Sequence, residues 1–428
     1  MKYKLNRIAV ASALTFISAS VSAAGFQIFQ QNASGLGNAY AGSAAVADNA
    51  STVFFNPAGM TELKGTNVSA GLNVVSSSIK FSNGSSSSTQ LSGNGGDAGT
   101  IGVIPNAYFT HQIDQKLTLG FGIGAPFGSH SKYDNPWIGG AQALEFQIKT
   151  INFNPSLAYK LDDRLSVGFG INYQQIDAKY KRITGSVVNG NAVNYTTGMT
   201  EMDLSDSGSF GWNAGMLFKP DQKTKIGISY RSKIKHGLDG SLNTVGVTGN
   251  SGSLVNAGGT GLGTAGVTLP DMAFLSISHK YTPKIEMLGD ISWTGWSSIP
   301  KIDVYNVTNS RLGQTLTTDF KDSWRFALGL NYQYTSNIKL KAGVAYDKTP
   351  VKGADTRLVS LPDNDRTWLS VGSQYQLNKT SAVDFGLAKV FIKNANVNNN
   401  QASDNRGLVN GSYKSSAWLM GIQYSQSF

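Results

Sequence analysis

The stretch "SAWLMGIQYSQSF", residues 416–428, closes the chain and alternates between two kinds of side chain. The residues of one face are large and apolar: Trp418, Met420, Ile422, Tyr424 and Phe428. Those of the other face are mostly polar or small: Leu419, Gly421, Gln423, Ser425 and Ser427. Because successive side chains of a strand point to opposite faces, this pattern predicts a β-strand with one apolar side.

Runs of the same kind recur along the chain, and we count about fourteen of them. An even number is what a closed single-chain bacterial barrel requires. The predicted strands are residues 65–81, 104–113, 117–128, 144–160, 165–185, 209–219, 224–238, 269–280, 285–303, 322–335, 338–348, 367–377, 382–393 and 416–428. The predicted fold class is therefore all-β, a closed antiparallel transmembrane barrel of fourteen strands over residues 65–428.

The connections between these runs alternate in length. Short turns are predicted around residues 114–115, 162–163, 220–221, 282–283, 336–337 and 378–379. Long connections rich in Ser, Gly, Asn and Thr include 82–103, 186–208, 239–268 and 394–415. Short periplasmic turns and longer extracellular loops are typical of outer-membrane barrels, so both chain ends are expected on the periplasmic side. The glycine pattern within "GTGLGTAG", residues 259–266, is interpreted as a flexible loop, because no βαβ pattern follows it.

The first 23 residues have the form of a secretory signal peptide. Basic residues precede the apolar run 8–17, and small residues close it at Val21-Ser22-Ala23. The run is shorter than the roughly 20 residues that a spanning helix needs, so cleavage is predicted after Ala23. The chain has no cysteine, 14% charged residues and 49 glycines. This composition suits a barrel in the outer membrane of a Gram-negative cell, whose strands are apolar at alternate positions only.

Residues 24–64 lack a sustained two-residue period and are rich in Ala and Gly. Their apolar side chains include Phe26, Phe54 and Phe55, and the last two run directly into the helix- and strand-breaking "NPAG" of residues 56–59. Larger barrels have a lumen that loops or helices can plug. We therefore predict an internal plug, with a periplasmic docking segment as the alternative.

Several segments resemble the FadL/TodX family of outer-membrane transporters for long-chain fatty acids and other hydrophobic compounds. The stretch "AGFQIFQQNASGLGNAYAGSAAVADNASTVFFNPAGM" is similar to the N-terminal hatch of that family. The stretches "GWNAGMLF", "ISYRSKI", "FKDSWRFALGLNYQY", "AYDKTPV" and "LPDNDRTWLSVGSQYQLN" are similar to further family blocks. The resemblance covers essentially the whole mature chain. It implies a barrel closed by a hatch (residues 24–64), an internal apolar pocket, a lateral gap at a kinked third strand, and a monomer.

The residues of the third predicted strand support such a kink independently of the resemblance. It contains Gly124, Pro126 and Gly128, and proline cannot donate a hydrogen bond to a strand ladder. Glycine and proline inside a strand predict a bulge or bend. The alternative is a strand that ends at Gly124, followed by a loop over 125–143. By resemblance, Asn56, Pro57, Ala58 and Gly59 of the hatch would approach this kinked third strand.

The resemblance also indicates the ligand and the residues that contact it. Arg182 matches a family arginine at the outer end of the fifth strand and is the candidate for the carboxylate, with Phe26 as a second substrate-binding candidate. A second basic residue expected before "FKDSW" is replaced by "TLTTDF". The alternative for Arg182 is a rim cation that faces anionic lipopolysaccharide. The predicted function is passive uptake of long-chain fatty acids, or of aromatic or alkane hydrocarbons by the same route.

Other classes of function have less support in the sequence. The histidines are scattered and no hydrolase motif surrounds them, so we predict no catalytic residues and no enzyme. No cofactor and no metal are expected, and Asp363-Asn364-Asp365 is interpreted as a polar turn. The net charge of +10 includes three residues of the signal and is spread along the chain, so nucleic acid is not an expected partner. A general diffusion porin would have no use for phenylalanines in its lumen.

Overall fold

The computed structural model describes residues 25–86, 91–188, 192–245, 259–307, 311–404 and 406–428. Within these residues the chain forms fourteen antiparallel strands, six of which are interrupted. The strands are β1 (Thr66–Ser86), β2 (Ile101–Gln112), β3 (Leu117–Gly124 and Gly128–Lys132), β4 (Glu145–Lys160), β5 (Leu165–Val188), β6 (Ala192–Phe218), β7 (Thr224–Arg231 and Ile234–Val245), β8 (Gly259–Leu269 and Met272–Lys280), β9 (Ile285–Thr294 and Lys301–Asn306), β10 (Arg311–Thr317 and Ser323–Gln333), β11 (Ile338–Asp347), β12 (Arg366–Gln376), β13 (Ser381–Ile392 and Ala395–Asn400) and β14 (Leu408–Ser427).

The first and last strands close the barrel. β1 pairs with β14 in antiparallel register, from Asn67 opposite Ser427 onward. The stretch 416–428 shows the predicted alternation, because Trp418 and Met420 are 48% and 50% exposed on the outer face, whereas Leu419 between them is fully buried. The predicted fold class, a closed barrel of fourteen antiparallel strands, is therefore confirmed.

The predicted long loops are the main difference between expectation and structure. β5 continues to Val188 and β6 already begins at Ala192, so most of the predicted loop 186–208 is strand. The glycine-rich stretch 259–266 also belongs to a strand, Gly259–Leu269, and not to a flexible loop. Strands that extend beyond the membrane form the same ladder hydrogen bonds without an apolar face. A strand made of Ser, Gly, Asn and Thr is therefore not detected from the alternation of apolar and polar residues.

Three of the short turns are built by aspartate side chains. The Asp114 carboxylate accepts hydrogen bonds from the backbone amides of Lys116 at 2.7 Å and Leu117 at 2.8 Å. These two bonds hold the pKa of Asp114 below its ordinary value. Asp162 and Asp221 cap the β4–β5 and β6–β7 turns in the same way. Such local bonds fix tight turns without further packing.

The N-terminal segment, residues 25–64, lies against the inward-facing side of the barrel. It contains an α-helical turn, Thr52–Phe55, and two 3-10 helices, Leu36–Asn38 and Pro57–Glu62. Strand glycines make room for its backbone, since a Cβ on Gly343 would lie 2.2 Å from the carbonyl carbon of Asn38. Among the residues that the structure describes, no helix is long and apolar enough to cross a membrane.

Candidate functional site

A break in the third strand is the most irregular feature of the barrel wall. β3 stops at Gly124 and resumes at Gly128, with Pro126 between the two segments. The second segment pairs with β4, which shows that residues 128–132 remain in the sheet. The structure therefore has the predicted bend and not a strand that ends at Gly124. The cause is the missing N–H of proline, which removes one hydrogen bond from the ladder.

The backbone groups at this break are satisfied by the N-terminal segment and by one side chain. The amide of Ile28 donates to the carbonyl oxygen of Pro126, and the amide of Gly128 donates to that of Phe26, both at 2.8 Å. The amide of Phe127 donates to the Thr150 hydroxyl at 3.0 Å. Because buried backbone groups need partners, residues 26–28 supply the hydrogen bonds that a regular strand would have received from its neighbour.

A cavity in the barrel wall lies beside the break. β2 pairs with β3 only from Ala107 onward, so its residues 101–106 have β1 as their sole strand partner among the described residues. A cavity of about 210 Å³ occupies this place. Its lining combines the inward-facing, buried Ile104 with the outward-facing Val103. The lining of this cavity therefore includes residues of both faces of the wall.

A second cavity, of about 60 Å³, lies in the outer half of the lumen. Its lining comes from strands β4 to β10 and is almost entirely apolar, including Phe146, Ile176, Tyr180, Leu204, Leu238 and Val304. We refer to it as the lumen pocket. The buried side chain of Ile148 lines both the lumen pocket and the cavity in the wall. The two spaces are therefore neighbours that share one side chain.

Arg182 lies near the outer end of this pocket. It belongs to β5, on the same face as Tyr180 and two residues farther toward the extracellular side, which is roughly 7 Å along a strand. It is half-buried, and its guanidinium donates to the carbonyl oxygen of Ile183 at 3.3 Å. The residue is not among those that line the lumen pocket, so the structure places it beyond the apolar lining and not inside it.

Phe26 lies at the break and not in the lumen pocket. Its ring centroid is 4.7 Å from that of Trp296 and 6.1 Å from that of Phe127, with edge-on geometry in both pairs. Phe320 extends the cluster on the far side of Trp296, at 5.8 Å. Such aromatic pairs contribute roughly 0.5–1.5 kcal/mol each beyond the burial of their area. The contacts of Phe26 therefore fix residues 25–28 against the bent strand.

The "NPAG" stretch begins a 3-10 helix. The Asn56 side chain accepts a hydrogen bond from the amide of Ala58 at 3.1 Å, and Pro57 occupies the first helical position. Asn56 also donates to the carbonyl oxygen of Met216 in β6 at 3.0 Å. A Cβ on Gly168 of β5 would lie 2.4 Å from the amide nitrogen of Ala58. The stretch thus packs against β5 and β6, and its 3-10 helix, Pro57–Glu62, also lies near the first segment of β3. The approach of residues 56–59 to the kinked third strand stays a prediction.

A buried arginine, which the sequence did not single out, holds Phe54. The Arg231 guanidinium lies 4.2 Å from the centroid of the Phe54 ring and donates to the Phe54 carbonyl oxygen at 3.0 Å. The same group also donates to the side chains of Asn154 and Asn172. Phe55 packs beside it, with its ring centroid 5.2 Å from that of Phe54. One sequence feature could have identified Arg231: it is an arginine at the inward-facing position that ends the alternating run "KIGISYR".

The four histidines lie on different strands. They share no hydrogen-bond partner: His111 contacts Thr66, His130 contacts Glu145, His236 contacts Asp206 and Gln174, and His279 contacts Thr224. Within the described part of the chain, no three His, Asp or Glu side chains are grouped so that they could hold a metal ion.

Comparison with known proteins gives sequence relatives over the full length. The chain is 30% identical to the long-chain fatty acid transport protein of Escherichia coli O6:H1, with 100% of this chain and 99% of the relative covered. It is also 30% identical to outer membrane protein P1 of Haemophilus influenzae, with 99% and 100% covered. Both relatives match from end to end.

Solved structures share the fold. A Pseudomonas aeruginosa FadL homologue superposes with a TM-score of 0.87 over 95% of this chain and 100% of that one, at 23% identity. The Ralstonia pickettii toluene transporter TbuX superposes with a TM-score of 0.66 over 94% and 100%, at 20% identity. The family model described as outer membrane protein transport protein (OMPP1/FadL/TodX) matches residues 14–428. The chain is therefore a member of this family of outer-membrane transport proteins.

Proposed function

We propose that this protein is a passive channel for the uptake of long-chain fatty acids or similar hydrophobic molecules across the outer membrane. The ligand binds in the lumen pocket and leaves sideways, through the cavity in the wall beside the break of β3. The observation that carries this proposal is the position of Ile148, which lines both cavities. A ligand that passes this one side chain moves from the lumen to the membrane face.

The energetics of binding favour an apolar ligand. Burying about 15 methylenes at ~0.8 kcal/mol each would contribute on the order of 12 kcal/mol before the costs of binding are subtracted. The lumen pocket, at about 60 Å³, must widen to bury a chain of this length, because small-molecule sites have roughly 300–1,000 Å³. A carboxylate paired with Arg182 would add about 1.5–3 kcal/mol. The acyl chain therefore supplies most of the affinity. The head group contact selects acids over neutral compounds.

Residues 24–64 act as a hatch in this proposal. Phe54 and Phe55 anchor it to the barrel wall, where Arg231 holds the first of them. Residues 26–28 close the break, because their hydrogen bonds to Pro126 and Gly128 hold the bent strand in place. Release of the ligand then needs a shift of the first residues of the hatch only. The remainder of the hatch stays fixed, so the route along the barrel axis remains closed.

Aromatic or alkane hydrocarbons are the alternative ligands. The fatty acid proposal draws on relatives named long-chain fatty acid transport proteins, whereas the alternative draws on the structures named toluene transporters. The lining of the lumen pocket suits both ligand classes. Replacement of the expected second basic residue by "TLTTDF", residues 315–320, weakens the case for carboxylate selection.

The test is uptake by cells that lack their own transporter, with labelled oleate and labelled toluene measured side by side. Restored oleate uptake by the folded protein supports the fatty acid. Restored toluene uptake alone assigns the channel to hydrocarbons. Single-channel conductance in planar bilayers is the control for a general porin, because large, steady ion currents contradict a lumen filled by the hatch.

A further inference from the structure

Three neighbouring strands, β13, β14 and β1, carry one basic residue each, and all three side chains face outward. The residues are Lys389, Lys414 and Lys80. Lys389 is paired with the outward-facing Trp418, and Lys414 lies four residues from Trp418 on the same face. Lys80 is directly opposite Lys414 in the ladder and therefore shares its face. We call these three residues the outer lysine cluster.

The cluster lies where the outer wall changes from apolar to polar. On the side of the chain ends, the same face of β13 and β14 presents Phe385, Leu387, Met420 and Ile422. On the other side, the outward positions of both strands are serine and asparagine. Trp418 stands at the change, as aromatic residues do at a membrane interface. The cluster is thus at head-group height, at the barrel end with the long hairpins, which is extracellular in outer-membrane barrels.

Lys389 has a fixed direction along the wall. Its ammonium lies 4.8 Å from the centroid of the Trp418 ring and donates a hydrogen bond to the Ser416 hydroxyl at 3.1 Å. Ser416 precedes Trp418 by two residues, which brings the ammonium toward Lys414 by roughly 7 Å along the strand. The charges of β13 and β14 are therefore directed to one place on the outer surface.

One acid contributes to this place. The Asp97 carboxylate lies 3.8 Å from the Lys80 ammonium and accepts hydrogen bonds from the Ser78 hydroxyl and the Ile79 amide, both at 2.7 Å. Strands β1 and β14 contain no acidic residue. The acid of β13, Asp384, is buried on the inner face. Three lysines thus stand against one aspartate, whose bonds are directed mainly to its own turn.

Two further observations show that the positive charge is not compensated by the protein. Lys80 and Lys414 are directly opposite each other, an arrangement of like charges that destabilises a sheet. Neither Lys389 nor Lys414 forms an ion pair with any residue that the structure describes. The outward lysines of β5 differ, because Lys179 is 2.7 Å from the Asp203 carboxylate and Lys181 is paired with Glu201. An anion from outside the chain would therefore relieve the repulsion at the cluster.

We propose that the outer lysine cluster binds the phosphate groups of one lipopolysaccharide molecule in the outer leaflet. Basic clusters at a membrane surface attract anionic lipid head groups, and the apolar face beside Trp418 receives the acyl chains. Two strand spacings, roughly 10 Å, separate β13 from β1, whereas a charged hydrogen bond to a phosphate spans about 2.7–2.9 Å. This spread suits a head group with several phosphates better than a phospholipid with one. The site lies outside the lumen, so the proposal stands independently of the transport route.

The experiment titrates labelled lipopolysaccharide onto the full mature protein, refolded in neutral detergent so that it carries no cellular lipid. The test variant is Lys389→Gln with Lys414→Gln. Its matched control, Lys179→Gln with Lys181→Gln, removes the same charge from lysines that already have acidic partners. Heat-modifiable gel migration checks folding. We expect the test variant to bind roughly thirtyfold more weakly, and the control to match wild type.

Three further measurements complete the test. Lys389→Arg with Lys414→Arg keeps the charge and should bind like wild type. Wild type should bind dephosphorylated lipopolysaccharide and phosphatidylglycerol more weakly than intact lipopolysaccharide, and its binding should weaken as the salt concentration rises, because salt screens exposed charges.

Equal losses in the test and control variants would overturn the proposal, as would equal affinity of wild type for lipopolysaccharide and phosphatidylglycerol. Displacement by inorganic phosphate, but not by chloride at the same ionic strength, would also overturn it, because the cluster would then recognise the free ion. Binding that does not respond to salt would exclude the lysines as its source.

Discussion

The amide nitrogen of Ile28 donates a hydrogen bond of 2.8 Å to the carbonyl oxygen of Pro126. Proline makes β3 bend because it has no N–H of its own, and the segment that precedes the barrel in the chain then supplies a donor to the bent strand. The closure of the break by residues 26–28 and the bend of β3 thus depend on the same few atoms. A ligand that displaces residues 26–28 would leave the carbonyl of Pro126 and the amide of Gly128 without these partners.

Phe26→Ala should loosen the N-terminal segment at the break. The substitution removes the ring that packs at 4.7 Å from Trp296 and at 6.1 Å from Phe127, which for a buried phenylalanine costs about 3–5 kcal/mol. Hydrogen exchange at the amides of Ile28 and Gly128 should therefore become faster, while amides of β14 stay protected. Unchanged protection at both positions would mean that the ring does not hold the closure.

Gly128→Phe should reduce uptake and leave the barrel folded, because Gly128 lines the cavity in the wall and a ring there narrows it. Gly237→Phe is the matched control, since a Cβ on Gly237 has no atom within 4 Å and the residue faces outward. Oleate uptake should fall at least severalfold in the first variant only. Equal uptake by both variants would count against a lateral route.

Ile148→Trp tests the passage between the two cavities. The larger side chain fills the place that the lumen pocket shares with the cavity in the wall. Uptake should fall, and oleate should also bind more weakly to the purified protein, because Ile148 lines the lumen pocket as well. Ile171→Trp adds the same side chain on the outer face of β5, where Ile171 is 48% exposed, and should transport like wild type. Loss of uptake in both variants would point to a general effect on the barrel.

Arg182→Ala should weaken the binding of fatty acids more than the binding of alkanes. Loss of a charged hydrogen bond of about 1.5–3 kcal/mol corresponds to roughly a tenfold to hundredfold loss of oleate affinity. Arg182→Lys keeps the charge and should recover part of the loss. Binding titrations with oleate and with hexadecane measure the difference. Equal effects on both ligands would assign Arg182 to the lipopolysaccharide-facing rim.

Glu62→Gln should reveal a pH-dependent anchor of the N-terminal segment. Burial alone would raise the pKa of Glu62, but hydrogen bonds from Lys219 at 2.6 Å and from Lys225 hold it below its ordinary value. A lowered carboxyl pKa stabilises the fold above the ordinary pKa and loses this contribution as the pH falls through the lowered value.

Urea unfolding in detergent should therefore show wild type more stable than Glu62→Gln by about 1 kcal/mol at pH 7. The two proteins should converge as the pH falls below about 4. A difference that persists at pH 2 would contradict the ion pair as its source. Asp163→Asn removes the exposed carboxylate of the turn pair Lys160–Asp163 and serves as the control.

The sequence alone was sufficient for the barrel and for which side chains of its last strand face outward. Alternation in residues 416–428 determines which side chains face the membrane, since a strand has a period of two wherever it lies. Pro126 between two glycines likewise predicts the bend, because the missing donor is a property of the residue itself. The same kind of reasoning failed for residues 186–208, where a polar hairpin has no apolar period to detect.

Only the tertiary structure decided what meets inside the barrel. Partners such as Ile28 with Pro126 and Phe54 with Arg231 are far apart in the chain, and strand tilt and register bring them together. The same geometry packs residues 56–59 on β5 and β6 and makes Ile148 the wall between two cavities. Local periodicity determines the face of a side chain. Closure of the barrel determines which other side chain it meets in the lumen.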